Sequence, residues 1–274
     1  MFTVSLTEIE VLSPSTREFR FTRDDGQALE YKPGQFYRFV FSDTAGEFER
    51  SYSLCNFNEL YGNELVLVVS QVEGGRATQL LFDAKPGLDA KLTGPYGRLT
   101  LPLTKLAADR STFLPTFPAR LVLVATSVGL APYLPILKQL ETLEYERVVL
   151  LLGVRDRSEF IYGDLLLKYA QRNKFFELTL CLSREKAEMS FEADGYVTGQ
   201  LEALHVEPDQ DHFLLCGNPA MVDDCYGYLK EAGCKPRQVV REKYVFAREA
   251  KASKQPLTDE QKNLIAEKMS RHTR

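Results

Sequence analysis

The chain has no run of about 18 apolar residues, so no part of it is long enough to cross a bilayer as a helix. It also lacks an excess of basic charge. The formal net charge of −4 excludes the broad positive field of a nucleic-acid binder. The opening residues, Met1-Phe2-Thr3-Val4-Ser5, carry neither the basic nor the apolar region of a secretory leader. Cysteines number five, at Cys55, Cys181, Cys216, Cys225 and Cys234, an odd and scattered set. That usage points to reduced thiols in a cytoplasmic protein rather than to a disulfide framework. No C-x4-C-x2-C run of a plant-type iron–sulfur domain is present, nor any Cys/His set with zinc spacing. His205, His212 and His272 stand in unrelated contexts, so no metal is expected. Internal repeats are also absent.

The 274 residues suffice for one large domain or two of ordinary size. Residues 4–11, 17–22, 35–41, 51–55 and 64–71 are rich in β-branched and aromatic side chains, and Gly and Asp clusters punctuate them. This spacing predicts an antiparallel barrel or sandwich. Residues 105–119 hold two prolines and read as a linker. Beyond it, 120–126 is a continuous apolar run, the mark of a strand buried on both faces; 148–153 reads as a second buried strand, and 176–183 and 212–216 as a third and a fourth strand. Helical stretches at 132–143, 162–173, 199–204 and 220–232 alternate with them, and 239–246 closes as a strand. Alternation of this kind predicts a doubly wound α/β domain with a parallel sheet. The expected organisation is an antiparallel β-barrel over 1–104, a linker over 105–119, a doubly wound α/β domain over 120–246 and a polar tail over 247–274. In the tail, Thr258-Asp259-Glu260-Gln261 fits a capping box before a C-terminal helix.

Four segments carry chemistry. Arg50-Ser51-Tyr52-Ser53 lies on a predicted strand, so Arg50 and Tyr52 project to one side and Ser51 and Ser53 to the other. A guanidinium grips phosphate through paired hydrogen bonds, and a phenol ring lies against a flat conjugated ligand. The pair suits a flavin nucleotide; by itself it also fits an amphipathic strand with a surface arginine. Gly94-Pro95-Tyr96-Gly97 follows. Ala125-Thr126-Ser127-Val128-Gly129-Leu130-Ala131-Pro132 forms a small-residue turn between a strand and a helix, the place for a dinucleotide pyrophosphate. Cys216-Gly217-Asn218-Pro219-Ala220-Met221 leaves the C-terminal end of a strand, where ligands gather in open α/β sheets.

In this order, over residues 2–246, the four segments resemble the ferredoxin–NADP reductase family of flavoproteins. The resemblance implies that Arg50 contacts a flavin phosphate, that Ser51 and Tyr52 line the flavin, and that Ser53 sits near N5, the atom that accepts hydride. Gly75, Ala77 and Thr78, within Gly74-Gly75-Arg76-Ala77-Thr78, match a pyrophosphate-binding turn; alone they also read as a hairpin turn entering a helix. FAD is expected in preference to FMN. Thr126, Gly129, Gly217 and Met221 fall at the nicotinamide nucleotide site. There the family usually has Gly-Thr-Gly-Ile-Ala-Pro, so Ser127 and Val128 are departures. Arg155 and the Ser183-Arg184 pair point to the 2′-phosphate of NADP(H), because a bare 2′-hydroxyl is usually met by a carboxylate; either arginine also serves as a simple strand-end cap. Cys216 is expected beside the nicotinamide, though a buried strand cysteine has the same appearance. Glu242-Lys243-Tyr244 resembles the family's E-x-Y element, with Tyr244 stacking on the flavin and Glu242 as a polar or proton partner. Ser53, Cys216, Glu242 and Tyr244 are therefore the catalytic candidates.

The function implied is electron transfer between NADPH and a separate small carrier, ferredoxin or flavodoxin, by a monomeric enzyme. Such carriers are usually acidic, and basic residues near Arg98 or in the tail are expected to supply a docking patch. Two other enzyme readings stand beside it: the reductase component of an oxygenase, and a free-flavin reductase. A flavin-binding redox sensor without turnover is the non-enzyme alternative.

Overall fold

The computed structural model describes residues 1–101, 119–143 and 145–244. The expected linker lies outside the described residues except for Ala119, and the tail over 247–274 lies outside them entirely.

The first lobe follows from period-2 patterning. β1 (Phe2–Val11), β2 (Thr16–Arg23), β3 (Phe36–Asp43), β4 (Gly46–Ser53) and β5 (Glu64–Ser70) precede the short helix α1 (Arg76–Phe82), and β6 (Asp89–Tyr96) follows it. They form one antiparallel sheet in the order β4-β3-β6-β1-β2-β5. Tyr37, Phe39 and Phe41 alternate inward along β3 and meet Phe19 and Phe21 of β2, Leu65 and Leu67 of β5 and Leu81 of α1. The chain leaving β4 then turns to β5, where the Cys55 N–H donates to the Val66 carbonyl at 2.9 Å. The two edges of the sheet are thereby joined, which relieves the exposed hydrogen-bonding groups of an open edge.

The second lobe is doubly wound. β7 (Arg120–Thr126), α2 (Tyr133–Leu140), β8 (Arg147–Val154), α3 (Gly163–Arg172), β9 (Phe176–Leu182), β10 (Glu192–Asp194), α4 (Val197–Ala203), β11 (Asp211–Gly217), α5 (Pro219–Glu231) and β12 (Val239–Lys243) run in that order. Their parallel sheet has the order β10-β9-β8-β7-β11-β12. Leu121, Leu123 and Leu150 face α2 and α3, whereas Val122, Val124 and Leu151 face α4 and α5. Both faces are covered, which explains the unbroken apolar runs in the sequence. Strand order reverses between β7 and β11, so a crevice opens at their C-terminal ends.

Several boundaries differ from the sequence reading. The strand expected at 51–55 begins at Gly46, because it pairs with β3 as a hairpin from Asp43↔Gly46 to Phe36↔Ser53. β6 was not anticipated; its Gly94-Pro95-Tyr96 end reads as a turn yet pairs with β3 through Phe36↔Tyr96. The helix expected from 132 starts at Tyr133, after a 3-10 turn over Ser127–Leu130. The last strand ends at Lys243 rather than at 246.

Met1–Tyr244 form one compact unit. The loop after β8 fastens its two lobes. Glu159 Oε2 accepts from Ser13 Oγ at 2.6 Å and Ser15 Oγ at 2.8 Å, and the Tyr162 hydroxyl donates to Glu18. Apolar packing continues across the same boundary, since Cys55, Val66, Val68 and Leu99 share one core with α2 and α3.

Candidate active site

β4 and β12 bring the catalytic candidates together. Ser53, the last residue of β4, is buried. Its hydroxyl donates to Glu242 Oε1 at 3.3 Å and accepts from the Tyr244 hydroxyl at 2.8 Å. Tyr244 is held in turn by its own N–H, which donates to the Gly217 carbonyl at 2.8 Å. The Cys216 thiol lies against the Tyr244 hydroxyl. Cys216 and Glu242 are register partners on β11 and β12. All four residues named from the sequence thus meet in one cluster, at the C-terminal ends of these strands.

Burial governs the electrostatics of this cluster. It pushes the Glu242 carboxyl up to about 7, against the smaller opposing effect of the Ser53 hydrogen bond. Cys216 is fully buried; desolvation, and then the Glu242 carboxylate, hold its thiol well above the usual thiol range. A protonated thiol is a poor nucleophile, so Cys216 is suited to packing against a ring rather than to covalent chemistry. Tyr244 is also shifted well upward by desolvation, and its hydroxyl stays a donor to Ser53.

The flavin candidates occupy the opposite face of β4 and the start of α1. Phe48, Arg50 and Tyr52 share that face. Tyr52 meets Phe39 and Phe41 edge-on at 5.8 and 6.5 Å, leaving the ring half-buried. Arg50 lies over the Phe48 ring at 5.5 Å and donates to the Glu49 carbonyl at 2.6 Å, and it has no ion-pair partner among the described residues. Arg76 approaches the same ring at 4.2 Å, which brings the first residue of α1 beside Arg50. Arg76 itself is fixed by a two-pronged pair with Asp43, at 2.7 and 2.6 Å. No side chain caps α1, and no acidic residue stands in its first turn. Thr78 turns its hydroxyl back to the Val72 and Gly75 carbonyls, both at 2.9 Å, and Ala77 is buried. Ser51, on the other face, is exposed. A guanidinium without an ion-pair partner among the described residues, a half-buried aromatic ring and uncapped helix amides form a set that fits a flavin with a phosphate group.

The dinucleotide turn shows why its glycines are there. A Cβ on Gly129 would fall 2.4 Å from the Cys216 carbonyl oxygen, and one on Gly217, at φ +128°, 2.4 Å from Thr126 Oγ1. The Thr126 hydroxyl accepts from the Asn218 N–H at 2.9 Å, which ties the end of β7 to the end of β11. Ser127, in the place of the family's glycine, adopts the left-handed conformation at φ 49° and directs its hydroxyl to Ser70 Oγ at 3.3 Å. The tight turn is therefore kept without glycine. Val128 packs against the core, and Met221 gives its side chain to the core between the sheet and α5.

Arg155 and Arg184 are adjacent and exposed at the ends of β8 and β9. The Arg184 N–H donates to the Arg155 carbonyl at 2.8 Å, and neither guanidinium has an ion-pair partner among the described residues. Ser183 Oγ donates to the Val154 carbonyl at 3.2 Å. Tyr196 was missed in the sequence. It is 71% exposed and follows Gly195, whose N–H donates to the Leu182 carbonyl at 2.8 Å, beside Ser183. An isolated aromatic in a loop carries no periodic signal that would single it out. Arg98, exposed and without an ion-pair partner among the described residues, follows Gly97, whose Cβ would lie 3.5 Å from Glu242.

Comparison with known proteins matches the chain to an oxidoreductase FAD-binding domain over residues 3–101 and an oxidoreductase NAD-binding domain over residues 123–226. The two halves define a two-domain oxidoreductase that binds FAD and a pyridine nucleotide. The chain belongs to the ferredoxin–NADP reductase family of flavoproteins. It is 28% identical over 228 residues to ferredoxin–NADP reductase B of Sorangium cellulosum, covering 81% of this chain and 88% of that protein. It is 26% identical to the reductase component of a propane 2-monooxygenase from Rhodococcus jostii, covering 87% of this chain but 62% of that component. Among solved structures, the Amycolatopsis cytochrome P450 reductase GcoB superposes with a TM-score of 0.75 at 26% identity, over 88% of this chain and 69% of that one. No described helix is long and apolar enough to cross a membrane.

Proposed function

We propose that this protein transfers electrons from NADPH to a separate one-electron carrier, a ferredoxin or a flavodoxin. The observation that carries this reading is the cluster of Ser53, Cys216, Glu242 and Tyr244, drawn from both lobes to one point. When bound, FAD supplies the conversion of a two-electron hydride at N5 into single electrons. Ser53, held in orientation by Glu242 and Tyr244, would present its hydroxyl to that atom. Tyr244 would lay its ring at the flavin, in the place a nicotinamide would take, and Cys216 would supply an apolar contact behind it. Arg50 and the first amides of α1 hold the flavin phosphates, and Tyr52 lies along the flavin. The turn at Thr126–Gly129 and the loop at Gly217 cradle the nicotinamide nucleotide. Arg155 and Arg184 take its 2′-phosphate, and Tyr196 offers a flat face to the adenine.

The test is anaerobic. The purified holoprotein is expected to be bleached by NADPH faster, and at lower concentration, than by NADH, and then to pass electrons to ferredoxin or flavodoxin. Preference for NADH would move the chain to the oxygenase-reductase reading, which the resemblance to the propane monooxygenase component also supports. A flavin that NADPH does not bleach would overturn the enzyme reading.

Two residue-level results follow from this assignment. Arg184→Ala is expected to raise the KM for NADPH about tenfold while leaving that for NADH within twofold, because it removes one charge-assisted partner of a phosphate. Steady-state kinetics with both nucleotides checks this. Glu242 governs the pH profile. Below about pH 7 its carboxyl is protonated, and above it is ionised. An ionised carboxylate stabilises the positive charge that develops on the nicotinamide as hydride leaves. The rate of flavin reduction is therefore expected to rise about tenfold as pH increases through 7, and Glu242→Gln to flatten that rise. Stopped-flow reduction from pH 5.5 to 8.5 measures both.

A further inference from the structure

The loop that carries Arg184 is rich in carboxylates, with Glu185, Glu188, Glu192 and Asp194 all within the next ten residues. Free carboxylates at this place would repel a 2′-phosphate and would compete for the two arginines meant to bind it. The structure shows where three of them go. Arg157, in the 3-10 turn after β8, donates to Glu192 through Nε at 2.7 Å and a terminal nitrogen at 2.6 Å. Its other terminal nitrogen pairs with Glu185 Oε1, and its backbone N–H donates to Glu185 Oε2 at 2.8 Å. The guanidinium also donates to the Lys186 carbonyl at 2.7 Å, and Glu188 stands 3.7 Å away. The Glu192 side chain is only 1% exposed, and it further accepts from the N–H groups of Glu188 and Met189 at 2.8 and 3.0 Å. Asp194 is occupied separately, by Lys186 at 2.7 Å and by the Ala187 N–H at 2.7 Å. Arg155 and Arg184 are left without ion-pair partners among the described residues.

We propose that Arg157 is a positioning residue for NADPH preference: it sequesters Glu185 and Glu192, and so frees Arg155 and Arg184 for the 2′-phosphate without itself touching the nucleotide. The inference rests on the assignment of NADPH made above. It explains why three arginines so close together differ in their partners. Arg157 alone is matched to the acidic loop, where its planar fork can hold two carboxylates at once. Loss of that fork releases Glu185 next to Arg184, and the pair then neutralises itself.

Competitive inhibition of the holoenzyme by 2′,5′-ADP and by 5′-AMP separates the terms, since the two probes differ in the 2′-phosphate. Wild-type protein is expected to bind 2′,5′-ADP more tightly than AMP. Arg157→Ala is expected to weaken 2′,5′-ADP about tenfold and AMP by less than twofold, with kcat unchanged. Arg157→Lys, which keeps the charge but loses the fork, is expected to fall between. Adding Glu185→Gln to Arg157→Ala is expected to restore most of the lost affinity. Equal loss of both probes would show a merely structural role and overturn the proposal. So would an unchanged ratio, or a failure of Glu185→Gln to rescue. Should Arg157→Ala not fold, Arg157→Lys and its combination with Glu185→Gln decide by the same criteria. A wild-type protein that does not discriminate between the probes would instead overturn the NADPH assignment itself.

Discussion

Replacing Ser53 by alanine is expected to slow reduction of the bound flavin by NADPH about 100-fold, with the flavin content of the purified protein unchanged. The hydroxyl is the centre of the cluster: it donates to Glu242 and accepts from Tyr244. On the proposed assignment, alanine removes the hydroxyl that would face flavin N5, and it strips two buried polar neighbours of a partner at once. Flavin retention distinguishes this from simple loss of the cofactor, because Arg50, Tyr52 and the start of α1 are untouched. Stopped-flow bleaching of the flavin absorbance gives the rate. A change of less than about threefold would remove Ser53 from the reacting centre.

Gly129→Ala is expected to cost a similar factor by another route. The added methyl would meet the Cys216 carbonyl oxygen at 2.4 Å, its carbon at 2.8 Å and the Gly217 Cα at 2.9 Å. All three are backbone atoms, so no side chain can swing aside. The loop that carries Cys216 and Gly217 must shift, and Tyr244, which hangs on the Gly217 carbonyl, moves with it. Misplacement of about 1 Å costs on the order of 100-fold in a reaction that depends on alignment. The expected signature is slow reduction by NADPH together with normal flavin binding. A variant with wild-type reduction kinetics would mean that the turn does not set the hydride geometry.

Ser53 and Arg50 were legible because a strand's period of two separates its faces, and the register of β4 on β3 keeps that separation. The doubly wound sheet was legible because strands covered on both sides need unbroken apolar runs. β6 was not, since Gly94-Pro95-Tyr96-Gly97 has turn composition while its pairing is set by β3. Gly94 lies so close to the Tyr37 ring that a Cβ there would fall 2.8 Å from it, a tertiary constraint without local trace. The Arg157 network was invisible for a related reason. Its partners Glu185 and Glu192 lie 28 and 35 residues away, and only the parallel packing of β8, β9 and β10 brings them together. Ser127 shows the opposite case: its departure from glycine was plain in the sequence, but only the fold shows that a left-handed serine preserves the turn.

The hydrogen bond from Tyr244 to Ser53 joins residues 191 positions apart. During synthesis the barrel emerges first and domains generally fold as they appear. Ser53 would then be in place while both of its partners, on and just beyond β12, were still unmade. Long-range contacts of this kind are closed late, after the entropy of the intervening chain has been overcome. Assembly of the cluster is thus a record of completion: a chain that stops short of β12 lacks Glu242 and Tyr244, and Ser53 is left without either of its partners.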